Sequence, residues 1–409
     1  MNTREIRQIL KDTDFIHTSG TPEELRVAEY LAAKCRALGA EARLEAFDVE
    51  MADVHGASLL ADGTAVPCKG YKCCGSGMVT APLCYLPNTD PAALTAARDR
   101  IVLLDTGVGH FLYQDLLANG AVGFITYDGN VHFQDSDIDH KELRSYVSLG
   151  KKIPGVNINA KDAFLLVKSG VREVSITVEQ TEYPGQSHNV IAEVPGKTDE
   201  WIVLSAHYDT TPLSHGSYDN MSGCVGLLHI LEKLGAAAPH RYGLRFVFCG
   251  SEERGLLGSK AYVQQHEAEL EKIALNINLD MIGTYIGKFI ACCSAEEALV
   301  SYIRYFGAER GWGVAPRMGV YSSDSTPFAD KGVPAVSFAR IAPPSQATIH
   351  NRYDTMAVLS PEQLRRDGDF LADFTAAMAD AARCPVKREI PEKVKTELDE
   401  YLNRKRKEQ

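Results

Sequence analysis

Hydrophobic and polar positions divide this chain into segments of distinct texture. Residues 21 to 39 place Leu25, Ala28, Tyr30, Leu31 and Leu38 at helical spacing on one stripe. Thr21 stands where a helix cap belongs, Pro22 in the first turn, Glu24 at the capping-box offset, and Gly39 follows as the stop. Residues 41 to 50 alternate as a strand would, with Ala42, Leu44, Ala46 and Val49 as the apolar positions. From about Val54 to Tyr183 short β-like runs, such as 77–85 and 100–104, alternate with turns, and helices are predicted over 110–119 and 160–169. From Asn189 a β/α alternation takes over, with apolar runs at 189–194, 201–206, 244–249, 273–279 and 333–338. Residues 221–234 are apolar nearly all round, which predicts a buried helix ended by Gly235. Ser360-Pro361-Glu362 opens a helix running to about Ala382. Beyond Pro385, Ile390, Val394, Leu398 and Leu402 recur every four residues, predicting one more amphipathic helix with Arg404–Lys407 as a solvated basic tail.

This order predicts an α/β fold whose mixed, mostly parallel, doubly wound sheet carries helices on both faces. A chain of 409 residues exceeds what one core usually organises, so two domains are expected. The outer segments, 1–53 and 184–409, are expected to form one discontinuous domain, and 54–183 a β-rich α+β insertion. A net charge of −11 argues against nucleic acid or an anionic membrane surface as partner. The first residues alternate charge with apolar positions and lack the apolar run of a signal peptide, and no stretch is long enough to span a bilayer. A cytoplasmic location is therefore expected, with the ten cysteines reduced. Cys68, Cys73 and Cys74 cluster, but without the paired C-x2-C halves of a structural zinc site.

The candidate chemistry lies at the ends of the apolar runs. Residues 201–206 lead into His207-Tyr208-Asp209, 244–249 into Gly250-Ser251-Glu252-Glu253, and 273–279 into Asp280. Asp219 lies in a Gly- and Ser-containing loop before the buried helix, and His350 in a turn ending at Asp354-Thr355. In an open parallel sheet the carboxyl ends of the strands form the ligand crevice, so these groups are expected to converge there. Singly each has an ordinary reading: Asp219 as a helix cap, His350 as a loop histidine, Glu252-Glu253 as acids at a helix N-terminus. Together, two imidazoles, three ligand carboxylates and one spare carboxylate suit a pair of divalent metals sharing a bridge, with a general base beside them.

These motifs resemble the co-catalytic di-zinc aminopeptidases, relatives of glutamate carboxypeptidase and the transferrin receptor. The likeness rests on His207-Tyr208-Asp209, Asp219–Gly223, Gly250–Ser259, Asp280–Gly283 and His350 with Asp354-Thr355. Residues 54–183 are similar to the protease-associated (PA) domain that such enzymes often carry, notably at 101–107 and 120–127. The resemblance implies two zinc ions, one held by His207 and Asp280, the other by Glu253 and His350, with Asp219 bridging. It also implies Glu252 as general base, Asp209 as the orienter of His207, a cis peptide at Asp219–Asn220, and attack by hydroxide on peptides with a free N-terminus. Tyr321, in a segment similar to the one lining the family's specificity pocket, is a candidate oxyanion donor or else a packing tyrosine. Ser325 stands where that segment usually has His. Other activities on the same scaffold remain open: a carboxypeptidase, for which Arg317, Arg340 and Arg352 lie near suitable segments, a glutaminyl cyclase, or a catalytically silent receptor-like protein.

Overall fold

The strands after residue 189 read as largely apolar runs because both of their faces are covered. In the computed structural model, which describes residues 1–132, 138, 140–235 and 239–407, they lie in the order Ala315–Met318, Lys288–Ser294, Ala335–Ile341, Ile273–Leu279, Trp201–His207, Gly243–Cys249 and the end of Glu173–Val194. The four strands from Ala335–Ile341 to Gly243–Cys249 are mutually parallel, and Lys288–Ser294 and Glu173–Val194 flank them antiparallel. Alternate residues feed two cores. Ile202, Leu204, Phe246, Phe248, Leu275 and Ile277 pack with the helices Thr3–Asp12, Pro22–Ala37, Ser222–Gly235 and Pro361–Ala379. Val203, Val247 and Ile273 pack on the other face with Leu257–Gln265, Ser325–Asp330 and Glu392–Tyr401. This is a mixed, mostly parallel α/β sheet with helices on both sides.

The chain divides into two compact units, Met1–Asp48 with Gln186–Gln409, and Val49–Gly185. Within the second, strands Gly77–Leu86, Ile101–Leu104, Gly123–Asp128 and Gly155–Asn159 run parallel over a core of Leu103, Phe124, Ile125 and Val156. Helices His110–Ala118 and Ala160–Lys168 end within a residue of the bounds read from sequence. The strand expected over 41–50 instead continues to Ala61, because its mixed exposed and buried positions give no break in texture.

Two local features stand out, one at the crevice at the carboxyl end of the larger sheet and one at the C-terminus. Helix Ser222–Gly235 runs against the end of strand Ile273–Leu279, where a Cβ on Gly223 would meet the Leu279 carbonyl at 2.4 Å and one on Gly226 the Leu279 side chain at 2.7 Å. Only glycine admits that approach. The second feature corrects the sequence reading of the C-terminus. Arg404 is not simply solvated: its guanidinium forks onto both Asp330 oxygens, each at 2.6 Å, after a helix whose Val394 and Leu398 are buried.

Candidate metal centre

Each expected residue sits at a strand end or in the loop that follows it, and the structure draws most of them to one point. His207 ends its strand with Nε2 3.1 Å from Asp219 Oδ1 and 3.9 Å from Asp280 Oδ1. His350 Nε2 lies 3.1 Å from the other Asp219 oxygen, Oδ2, and 3.1 Å from Glu253 Oε2. Two triads result, His207-Asp219-Asp280 and Asp219-Glu253-His350, and within each the potential ligand atoms lie within 4.8 Å of one another. Asp219 belongs to both, one oxygen facing each imidazole. The peptide joining Asp219 to Asn220 is cis.

Backbone hydrogen bonds to buried side chains hold this geometry. Asp354 accepts the N–H groups of Tyr218 at 2.7 Å and Asp219 at 3.1 Å. Asn220 donates to the Leu279 carbonyl at 2.9 Å and accepts from Gly223 and Met281, so it ties the Asp219 loop to the strand end that carries Asp280. Asp209 accepts the N–H of Glu252 at 2.8 Å and of Glu253 at 3.2 Å. Its nearest approach to His207 Nδ1 is longer, 3.6 Å, so its short contacts hold the glutamate pair. The helix after that pair begins only at Leu257, and Ser251 and Leu256 both take positive φ. Glu252 and Glu253 therefore precede the helix by a turn, and its N-terminus does not account for them.

Sequence reasoning missed one member of this framework. Glu24, read as a cap, accepts the N–H of Gly20 at 2.6 Å, the hydroxyl of Ser187 at 2.7 Å and the N–H of Ser251 at 3.2 Å. It thus reaches from the second helix to the loop ahead of Glu252, a contact spanning 227 positions that no local pattern announces. Burial and the nearby Asp209 push its carboxyl up to about 8.

The electrostatics show what the crevice lacks. Burial raises Glu252 well above the carboxylate range, and Glu253, Asp324 and Asp280 push it the same way against the pull of His207. Burial pushes Asp280 up to about 7, with Asp219 adding to it. For Asp219 the hydrogen bonds from His207 and His350 outweigh burial and hold it low. Burial would lower His350, but its hydrogen bonds with Asp219 and Glu253 push it up to about 11. Four carboxylates thus crowd two imidazoles, and Asp280 Oδ1 is buried without a hydrogen-bond partner. Buried acids in such company call for cations. An N/O donor set of this kind suits zinc.

Of the remaining candidates, Tyr321 is largely buried, and its phenol is held protonated by burial and by the neighbouring Asp280 and Asp219. Ser325 is buried and hydrogen-bonded to Ser337 at 2.7 Å, within a chain of polar side chains through Asn278 and Ser205 beneath the site. Arg340 is engaged: Nε and Nη2 fork onto Asp367 at 2.8 and 2.6 Å.

Residues 189–375 match peptidase family M28. Aminopeptidase YwaD of Bacillus subtilis is 29% identical over 260 residues, covering 60% of this chain and 54% of its own length. A probable lipoprotein aminopeptidase, LpqL of Mycobacterium tuberculosis, is 27% identical over 297 residues, covering 68% and 57%. The alignments thus span little more than half of these curated relatives. The solved structure of BSAP, a zinc aminopeptidase from Bacillus subtilis, superposes with a TM-score of 0.77 at 23% identity over 96% of this chain and 98% of its own. An aminopeptidase from Aneurinibacillus sp. strain AM-1 gives 0.76 at 22% over 94% and 96%. Over residues 189–375 the chain is thus similar to peptidase family M28, and its fold is that of the solved zinc aminopeptidases.

Proposed function

We propose that this protein is a zinc-dependent aminopeptidase that binds two zinc ions and releases N-terminal residues from peptides. The observation that carries the reading is Asp219, whose two oxygens each lie 3.1 Å from a different histidine, each histidine facing a further carboxylate. His207 and Asp280 would hold one ion, His350 and Glu253 the other, with Asp219 between them. Bound zinc supplies Lewis acidity toward the scissile carbonyl and an anchor for the substrate's free α-amine. Glu252 would take a proton on its carboxylate from the attacking water and return it to the departing amine, a role suited to a carboxyl raised by burial. Asp209 would fix that carboxylate through the Glu252 and Glu253 amides rather than through His207 alone. The Tyr321 phenol, kept protonated beside Asp280, would donate to the developing oxyanion.

A carboxypeptidase on the same scaffold needs a cation for the substrate carboxylate, and of the three arginines near suitable segments, Arg317, Arg340 and Arg352, Arg340 is spent on Asp367. That favours the aminopeptidase. We also read Val49–Gly185 as the PA-like insertion, supported by its own core and parallel strands. Ten free cysteines support a reducing, cytoplasmic setting, and no helix among the described residues is long and apolar enough to cross a membrane. The test is Glu252→Gln with amino-acid amides and N-blocked peptides as paired substrates. The variant is expected to keep both metals and lose roughly 10²–10⁴-fold in kcat, and only substrates with a free amine are expected to be cleaved by the parent enzyme. Full turnover by the variant, or equal cleavage of blocked peptides, would overturn the reading.

A further inference from the structure

Residues 319–323 are gripped from two sides. The outer grip comes from the C-terminal helix Glu392–Tyr401, which follows the segment matched by the family. Glu397 accepts the N–H of Val320 at 3.0 Å, and the Tyr401 hydroxyl meets the Ser322 hydroxyl at 2.7 Å. A Cβ at Gly319 would come within 2.9 Å of Glu397 Oε2, so the loop lies directly against that carboxylate. The inner grip comes from the site. Ser323 accepts at 2.8 Å from Asn278, two positions before the candidate ligand Asp280 on the same strand end, while the Tyr321 carbonyl accepts from the Thr326 hydroxyl at 2.8 Å. Along this stretch the residues alternate: Val320 and Ser322 are held by the C-terminal helix, and Tyr321 and Ser323 face the acids of the crevice.

The helix is anchored to serve as such a brace. Val394 and Leu398 are buried with Phe328, Ala329 and Tyr262, and Arg404 forks onto Asp330 at the end of the helix that follows the loop. A segment that only closed the core would need the apolar stripe and not the two polar contacts to the loop backbone and Ser322.

We infer that Glu397 and Tyr401 are positioning residues, through which the C-terminal helix holds the 319–323 loop so that Tyr321 and Ser323 are set against Asp280. This rests on the aminopeptidase reading, in which Tyr321 faces the reacting carbonyl. Misplacement of a catalytic group by about 1 Å can cost up to 10²-fold. The full-length, zinc-loaded protein is compared as parent, Glu397→Ala, Glu397→Gln and Tyr401→Phe, by steady-state kinetics, zinc content and hydrogen exchange of the Val320 amide. Glutamine keeps an acceptor oxygen for Val320, and alanine does not. The expected result is a kcat about tenfold lower in Glu397→Ala, with KM and zinc content within twofold of the parent, faster Val320 exchange, and recovery of both in Glu397→Gln. Unchanged kcat and exchange in Glu397→Ala would overturn the inference, as would a glutamine variant no better than alanine. If Glu397→Ala fails to fold, Tyr401→Phe decides, since it removes one exposed hydroxyl contact: a severalfold fall in kcat supports the brace and parent-like kcat refutes it. A parent protein without peptidase activity would refute the functional reading instead, and Val320 exchange would still decide whether the helix holds the loop.

Discussion

Asp367→Ala should be among the most damaging single substitutions outside the crevice. Asp367 is fully buried and accepts four hydrogen bonds: Arg340 Nη2 at 2.6 Å, Arg340 Nε at 2.8 Å, Gln363 at 2.9 Å and the Gly283 N–H at 3.0 Å. Its partner Arg340 is also mostly buried, stacked 5.1 Å over Phe289 and bonded to the Gly287 carbonyl at 3.1 Å. Removing the carboxylate leaves that mostly buried guanidinium without its counter-charge, a loss typically of about 3–5 kcal/mol. At about 2 °C per kcal/mol for a unit of this size, the unfolding midpoint should fall by roughly 6–10 °C. The assay is thermal unfolding followed by near-ultraviolet circular dichroism, with Arg340→Met/Asp367→Leu as control. Because that double variant buries no lone charge, it should recover most of the loss. A single variant melting within a degree or two of the parent, or a double variant as unstable as the single, would refute the reasoning. The effect should also reach the site, since the Arg340 carbonyl accepts the Tyr218 hydroxyl at 2.7 Å, one residue before Asp219.

Two further outcomes are expected. Asp219→Ala removes the oxygens shared by both triads, so metal analysis after dialysis should find fewer than two zinc ions per chain, and two tightly held ions would contradict the bridging role. Glu24 should make stability fall with rising pH: its folded value of about 8 exceeds the ordinary 4.5 of a free glutamate, so between these the folded state holds a proton that the unfolded state has released. The loss is about 1.4 kcal/mol per pH unit across that window. Glu24→Gln should flatten this slope in chemical unfolding from pH 5 to 8, and an unchanged slope would place the titration elsewhere.

The sequence announced the strand ends because both faces of the sheet are buried, which leaves runs such as 244–249 largely apolar, with Arg245 the one exception, until the chain leaves the core. Chemistry then stood out as the first acid or imidazole after each run: His207, Glu252 and Asp280. Helix starts were legible for the same local reason, as Thr21 and Ser360 accept from residues three positions on. What could not be read are contacts whose partners lie far apart in the chain. Glu24 and Ser251 are 227 positions apart, and Asp354 and Asp219 are 135. Arg404 looked like part of a charged tail because its partner Asp330 lies 74 positions away. Arg340 looked available for a substrate carboxylate for the same reason, since nothing in its neighbourhood reveals Asp367.

These hidden contacts share one chemistry. Asp209 and Asp354 are acids near the crevice, and each spends its oxygens on backbone N–H groups of the loops that carry the candidate ligands or base, while Glu24 adds one contact to the Ser251 N–H. A neutral amide could not accept on both of its ends, whereas a carboxylate satisfies two donors at once and fixes a loop in two places. Burial first, and then neighbouring acids (Asp209 for Glu24, and Glu253, Asp324 and Asp280 for Glu252), raise both groups and leave the crevice electrostatically incomplete. Two divalent cations would offset that excess. The same acids that position the loops therefore also deepen the potential that draws metal in, and the rigidity of the site and its appetite for cations have a common source.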